Sequence, residues 1–277
     1  MKKTSLQINT ADILYRNRCY NVEYFIRDGA KGTIVFVHGL GGCKENFWEA
    51  TRSKALDNYR LIAADNPGTG NSTYYEDDPL QVDDLVNIIA RFIDSLKLNS
   101  FIMLGASMGG LITLHYPRSH LANVVGYINI EGNLMPEDCM FSSKVVSHTA
   151  EAFRENVFCQ TIIDMKNNGN PGYYIIANNL QLNTNVMSYF YYSFQTVAYS
   201  ATGELLQEFL DLPLAKVFIY GEKNLTLKYL PTLEAGGVPL KKIPQSDHFI
   251  FYDNPKALYE AVGEFADDLY ATKKVQD

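Results

Sequence analysis

The chain has 277 residues, of which 47% are hydrophobic and 20% are charged, so its composition is globular rather than disordered. Its 24 basic and 31 acidic residues give a formal net charge of −7, which argues against a nucleic-acid partner. No apolar run approaches the length of a membrane-spanning helix, so we expect no membrane partner.

The cysteines and the start of the chain bear on its compartment. None of the four cysteines belongs to a C-x-x-C pair, which argues against a zinc site and a disulfide framework: Cys19, Cys43, Cys139 and Cys159. The basic start is not followed by an apolar block, so the sequence does not predict export. We therefore expect the reducing cytoplasm as the location.

The first half of the chain alternates between short apolar runs and helical patterns. Strands are predicted at 6–15, 20–27, 33–37, 61–64, 101–104 and 124–130, and helices at 45–56 and 82–96, with a third that ends near Pro117. A turn at Asp28-Gly29 accompanies the two opening strands, which we expect to pair antiparallel at a sheet edge. The later runs are apolar throughout, as is typical of strands in a parallel sheet. This alternation predicts an α/β fold.

The pattern changes after Glu131. Residues 132–201 contain no clear buried strand and are rich in asparagine and aromatic residues, among them Tyr173, Tyr174, Tyr189, Phe190, Tyr191, Tyr192, Phe194 and Tyr199. Alternation then resumes, with strands predicted at 217–220 and 238–243 and helices at 227–235 and 255–271. We therefore predict a core domain formed by 1–131 and 202–277, and a mostly helical cap formed by 132–201.

A candidate nucleophile follows the predicted strand at 101–104. Gly105-Ala106-Ser107-Met108-Gly109 matches the pattern G-x-S-x-G, which places a serine on a tight turn between a strand and a helix. The backbone strain of such a turn requires small neighbours two residues before and after the serine, and both are glycine here. We therefore predict Ser107 as a nucleophile.

A serine nucleophile needs a base, and the chain has five histidines. His248 follows the last predicted strand, and the carboxyl end of a parallel strand is where open α/β sheets place their sites. His115 and His120 lie on or near the helix after Ser107 and are interpreted as packing or surface residues. We predict His248 as the base.

Two backbone N–H groups are candidates for an oxyanion hole. The N–H of Met108 directly follows the serine, and the N–H of Leu40 lies in the glycine-rich loop after the strand at 33–37. That loop, residues 38–42, has neither a G-x-G-x-x-G pattern nor a G-K-[ST] ending, which argues against a phosphate-binding loop.

Four motifs in this order resemble the α/β-hydrolase superfamily with a cap domain: His38-Gly39, Asp65-x-Pro67-Gly68-x-Gly70-x-Ser72, Gly105-x-Ser107-x-Gly109 and His248. The resemblance implies a mainly parallel eight-stranded sheet with helices on both faces, a Ser-His-acid triad and a two-step acyl transfer. Branches with an aspartate nucleophile are disfavoured because position 107 is serine.

The acid of the triad departs from the family pattern. Most members carry an Asp in Gly-x-x-Asp after the strand that here ends near Tyr220, but this chain has Gly221-Glu222-Lys223-Asn224. Some members place the acid after the earlier strand, where this chain has Glu131. We therefore favour Glu131 and keep Glu222 as the alternative acid, with Asn224, Asp138 or no acid as remaining options.

These residues predict a serine hydrolase, most simply a carboxylic ester hydrolase, that needs no cofactor and no metal. Its expected partner is a small-molecule substrate, namely a small and largely apolar ester, lactone or thioester that passes through an acyl-serine intermediate. The cap has few basic residues, and its aromatics either contact the substrate or form the cap's own core. The alternatives are a carbon–carbon bond hydrolase and a non-catalytic small-ligand-binding protein.

Overall fold

A computed structural model describes residues 5–273, and the basic start of the chain, at 1–4, lies outside this range. The described residues contain an eight-stranded sheet. The strands are β1 (Gln7–Tyr15), β2 (Arg18–Arg27), β3 (Gly32–Val37), β4 (Tyr59–Ala64), β5 (Phe101–Ala106), β6 (Val124–Ile130), β7 (Lys216–Gly221) and β8 (Leu240–Ile243). They lie in the order β1-β2-β4-β3-β5-β6-β7-β8. The β1–β2 and β2–β4 pairs are antiparallel and the other pairs are parallel, which confirms the predicted sheet.

The α-helices of the described residues are α1 (Val82–Ser95), α2 (Met108–His115), α3 (Pro117–His120), α4 (Ser142–Val145), α5 (Ala150–Ala152), α6 (Phe158–Lys166), α7 (Pro171–Asn183), α8 (Val186–Ala201), α9 (Glu204–Asp211), α10 (Leu230–Ala235), α11 (Ile250–Asp253) and α12 (Pro255–Lys273). A π-helical stretch, Phe153–Val157, joins α5 to α6. Within the described part of the chain, no helix has both the length and the apolarity needed to cross a membrane.

Helices cover both faces of the sheet, as predicted. Successive side chains of a strand point to opposite faces. Val35 of β3 therefore joins a buried cluster with α1 and α2, and Phe36 joins a second cluster with α12. Both faces of the parallel strands are thus buried, which explains why their sequences are apolar throughout.

One local prediction was wrong. The β1–β2 turn is formed by Arg16 and Asn17 rather than by Asp28-Gly29, and both residues have positive φ (47° and 58°), because a two-residue hairpin needs left-handed backbone that matches the sheet twist. Residues 45–56 are helical, as predicted, in the form of two 3₁₀ helices, Lys44–Arg52 and Lys54–Leu56. The helix after Ser107 ends at His115, near Pro117 as predicted, and Pro117 then begins α3, because proline fits the first turn of a helix.

The segment between β6 and β7 is helical, as predicted, and contacts the loops that follow β3 and β4. The side-chain amide of Asn179 on α7 donates to the carbonyl of Gly41 over 2.7 Å. At the start of α8, the backbone N–H of Asn185 donates to the carbonyl of Gly68 over 2.8 Å. The division of the chain into a core and a cap stays a prediction.

The register of the sheet places the carboxyl ends of the parallel strands side by side. Val37 pairs with Ala64, Ala106 pairs with Ile130, and Gly221 at the end of β7 pairs with Ile243. The loops after these strands therefore meet at one edge of the sheet, which is where α/β sheets place their ligands.

A buried lysine joins two of these loops. Lys44 is 1% exposed, and its Nζ lies 2.9 Å from Asp65 Oδ2, 2.6 Å from Glu23 Oε1 and 2.8 Å from Glu45 Oε1. Its backbone N–H also donates to Asp65 Oδ1 over 2.7 Å. Burial raises the pKa of Asp65 to about 6, and the lysine opposes that rise.

Replacing Lys44 by methionine would leave these acids without their shared cation. We expect Lys44→Met to lower the free energy of unfolding by about 3–5 kcal/mol at pH 8. The loss should be smaller at pH 5, where Asp65 can take up a proton and no longer buries a charge. Urea unfolding at both pH values measures this, with the exposed Lys256→Met as the control. An equal loss at both pH values would contradict the electrostatic explanation.

Candidate active site

Ser107 occupies a strained turn between β5 and α2. Its backbone lies at φ 54° and ψ −130°, a region that residues with a Cβ rarely adopt. The turn is fixed by hydrogen bonds from Ser107 N–H to the carbonyl of Ile130 (3.1 Å) and from Gly110 N–H to the carbonyl of Ser107 (2.7 Å). The side chain is partly exposed, in contrast to the fully buried strand before it.

The glycines around Ser107 are required by close backbone contacts. A Cβ at Gly105 would overlap Thr113 and Gly109 of the following helix, and a Cβ at Gly109 would lie 2.7 Å from the carbonyl oxygen of His38. A Cβ at Gly39 would lie 2.7 Å from Ser107 Cβ. The loop after β3 therefore passes directly against the serine.

The structure brings Glu131 and His248 together. His248 lies in the loop after β8, and its Nδ1 is 2.8 Å from Glu131 Oε2, with both side chains buried. Because a carboxylate only accepts hydrogen bonds, Nδ1 carries the proton. In the neutral imidazole, Nε2 is then free to accept a proton.

Glu131 also binds the end of β7 and the loop that follows it. Its Oε1 accepts a hydrogen bond from Gly221 N–H (2.8 Å), and the amide of Asn224 donates to both carboxylate oxygens over 2.9 Å. The backbone of Glu131 lies at φ 41°, a second strained residue at this edge of the sheet. Asn224, at the position where the family pattern places an acid, thus donates to Glu131, which follows the neighbouring strand β6.

The other candidate acids have different partners. Glu222 lies at the surface, where its carboxylate accepts from Gln245 N–H (3.0 Å) and Lys242 Nζ (3.3 Å). Asp138 accepts hydrogen bonds from two backbone N–H groups and a tyrosine hydroxyl. Neither carboxylate is hydrogen-bonded to His248, because their own local donors orient them elsewhere.

Opposing effects act on the pKa of His248. Burial disfavours the charged imidazolium, but the hydrogen bond and charge of Glu131, together with the charges of Asp138 and Asp247, outweigh burial. The pKa of His248 is therefore raised above its ordinary value of 6.5.

His38 has a structural role in the loop that follows β3. Its Nδ1 lies 2.8 Å from the carbonyl of Gly39, and its Nε2 accepts from Asn66 N–H over 2.9 Å. Burial lowers the pKa of His38 to about 4, so the ring is neutral at pH 7. It joins the loops after β3 and β4, and Leu40 of the first loop lines the same pocket as Met108.

The pocket beside Ser107 and His248 was only partly predictable. None of the eight aromatic residues noted in 132–201 lines it within the described structure, since Tyr189, Phe190 and Tyr192 are buried in packed clusters. Its lining residues that the sequence did not single out are Asn46, Asn133, Phe141, Ser142, Ile176, Thr196, Phe249 and Phe251.

One group among residues 5–273 combines side chains of the kind that bind metals. Atoms of Cys43, Glu45 and Asp65 lie within 4.8 Å of one another. The ammonium group of Lys44 already lies within 2.9 Å of both carboxylates, and burial raises the pKa of the Cys43 thiol. The cation that these acids need is therefore supplied by the protein.

The pairing of Glu131 with His248 predicts a change in titration. We expect Glu131→Gln to lower the pKa of His248 by about one unit or more, because the glutamine has no negative charge to stabilise the buried imidazolium. A proton NMR titration of the imidazole measures this. Glu222→Gln is the matched control and should leave the pKa unchanged. A shift with Glu222→Gln but not with Glu131→Gln would contradict the pairing.

Comparisons with known proteins agree with this architecture. A model of the α/β hydrolase fold matches residues 32–255. The chain is 26% identical over 309 residues to a 1-acylglycerol-3-phosphate O-acyltransferase of Arabidopsis thaliana, which covers 91% of this chain and 69% of that protein. It is 34% identical over 105 residues to the monoacylglycerol lipase ABHD6 of Bos taurus, which covers 36% of this chain and 30% of the lipase.

A solved structure supports the same fold. A carboxylesterase of the thaumarchaeon Nitrososphaera gargenis matches with a TM-score of 0.76 and 16% identity, over 95% of this chain and 100% of that chain. At this identity the similarity concerns the fold alone. Because the family model spans most of the chain, from the third strand to the last helix, the protein belongs to the α/β-hydrolase fold family.

Proposed function

We propose that the protein is a serine hydrolase that cleaves a small, largely apolar carboxylic ester, lactone or thioester through an acyl-serine intermediate. The observation that carries this proposal is the 2.8 Å contact between Glu131 Oε2 and His248 Nδ1, because His248 lines the same pocket as Ser107. The esterases and lipases among its relatives support the same reaction class. In this proposal residues 132–201 are the cap, and 1–131 with 202–277 are the core.

The first half of the proposed reaction acylates the serine. His248 Nε2 takes the hydroxyl proton of Ser107 while Ser107 Oγ bonds to the substrate carbonyl carbon. The N–H groups of Leu40 and Met108 stabilise the oxyanion that forms. The bond from carbon to the leaving oxygen or sulfur then breaks, and His248 gives its proton to the leaving atom.

The second half restores the enzyme. Water gives a proton to His248 Nε2 and bonds to the acyl carbon, the bond to Ser107 Oγ breaks, and the proton returns to Ser107. Glu131 keeps Nδ1 protonated and stabilises the imidazolium in both halves. Every step uses protein groups and water.

A fluorophosphonate tests the nucleophile. We expect one covalent adduct in the wild type by intact mass and no adduct in Ser107→Ala, which should also lose about 10⁴-fold or more in kcat for an activated ester. Ser142→Ala removes another serine of the same pocket and should still gain the adduct. A folded wild-type protein without an adduct would contradict the proposal and favour a ligand-binding protein.

The proposed base predicts a pH profile. The protonated form of His248 cannot accept the serine proton, so kcat/KM for an uncharged p-nitrophenyl ester should rise with pH, with its midpoint above 6.5. Glu131→Gln should lower kcat/KM by about 10²–10⁴-fold and move the midpoint to lower pH. A midpoint that Glu131→Gln leaves in place would argue against Glu131 as the partner of the base.

A further inference from the structure

Asp138 lines the Ser107 pocket, and the hydrogen bonds of its carboxylate leave one acceptor position unfilled. It ends the short 3₁₀ helix Pro136–Asp138. Its Oδ2 accepts from the N–H groups of Leu134 and Met135, each over 2.8 Å, and its Oδ1 accepts from the Tyr229 hydroxyl over 2.8 Å. A carboxylate has about four acceptor positions, so the protein fills three of them.

Asp138 lines the same pocket as Ser107 and His248. Its charge and that of His248 act on each other's pKa, and three residues later the ring of Phe141 lies 6.0 Å from the imidazole ring. In the proposed mechanism His248 gives its proton to the leaving atom, so the leaving alcohol lies beside His248. An alcohol part held beside His248 shares this pocket with Asp138.

We propose, resting on the hydrolase function proposed above, that Asp138 selects the alcohol part of the substrate: an uncharged polyol ester whose free hydroxyl donates to its open acceptor position. A hydrogen bond to a charged acceptor in a desolvated pocket is stronger than one between neutral groups. Asp138 thereby favours a leaving alcohol with a second hydroxyl over a simple alkyl alcohol.

The rest of the pocket fits an uncharged polar alcohol. Asn133, Ser142 and Thr196 also line it and offer neutral hydrogen-bonding groups. No lysine or arginine is among the lining residues in the described part of the chain. A phosphorylated alcohol would therefore meet the Asp138 carboxylate without a compensating cation, which disfavours it.

Four butyrate esters that share one acyl group test the selection: ethyl butyrate, glycerol monobutyrate, the butyrate ester of glycerol phosphate, and butyrylcholine. The assays should be run at pH 8. Burial raises the pKa of Asp138 to about 6, so its carboxylate is ionised at that pH. The wild type should show a kcat/KM for the glycerol ester about tenfold above those of the ethyl and phosphate esters.

The variant Asp138→Asn keeps the shape and can keep one oxygen on the N–H groups of Leu134 and Met135. It should lower the ratio of kcat/KM for the glycerol ester to that for the ethyl ester by about tenfold, and raise the ratio of kcat/KM for the phosphate ester to that for the ethyl ester. The loss of the Asp138 charge beside His248 acts on all four esters alike, so it leaves these ratios unchanged. The control is Glu137→Gln, since Glu137 accepts from Lys228 N–H and lies outside the pocket lining. This control should keep the wild-type ratios.

Distinct outcomes overturn the selection and the hydrolase function. Equal changes for all four esters in Asp138→Asn would assign Asp138 a structural role and overturn the selection. A wild-type preference for butyrylcholine would show that the pocket recognises a cation rather than a hydroxyl group, and would overturn the selection. A wild-type protein that is labelled at Ser107 but cleaves none of the four esters would also overturn the selection. If Asp138→Asn does not fold, the wild-type order of the four esters decides. A folded wild-type protein that the fluorophosphonate does not label at Ser107 would instead contradict the proposed function itself.

Discussion

The buried carboxylate of Glu131 is the contact on which the arrangement at the sheet edge depends. It joins three neighbouring strands, because it follows β6, binds Gly221 at the end of β7 and Asn224 after it, and binds His248 after β8. The side chain is 4% exposed, so each acceptor position must be filled by the protein. Moving any of these loops would leave a buried charge with too few donors, at a cost far above that of an exposed ion pair.

Strain and polar contacts are concentrated at the same edge. Ser107 and Glu131 both have positive φ, and they follow adjacent strands whose last residues, Ala106 and Ile130, are paired. Such backbone persists only where its surroundings fix it. Here Ser107 N–H binds the carbonyl of Ile130, and Glu131 N–H binds the carbonyl of Ile219, so the sheet itself holds the two residues in place.

Much of the fold and some of the site could be predicted from the sequence, for physical reasons. Strands buried on both faces are apolar throughout, so the strands of 33–37 and 124–130 and the loops after them were predictable. The partner of His248 was harder to predict, because it depends on the positive φ of Glu131 rather than on spacing. The rest of the pocket lining was not predictable, since residues such as Asn46, Phe141 and Thr196 come from separate segments of the chain that only the folded structure brings together.

The departure from the family pattern, Asn224 in place of an aspartate after β7, is consistent with the position of Glu131 after β6. Its amide lies 2.9 Å from both oxygens of Glu131, so an aspartate in the same place would face a second carboxylate at that separation. Two carboxylates so close cannot both ionise without a large cost, and a shared proton would weaken the charge beside His248. A carboxylate directly after β6 therefore requires a donor after β7. In the proposed triad the amide of Asn224 is then a consequence of the place of Glu131.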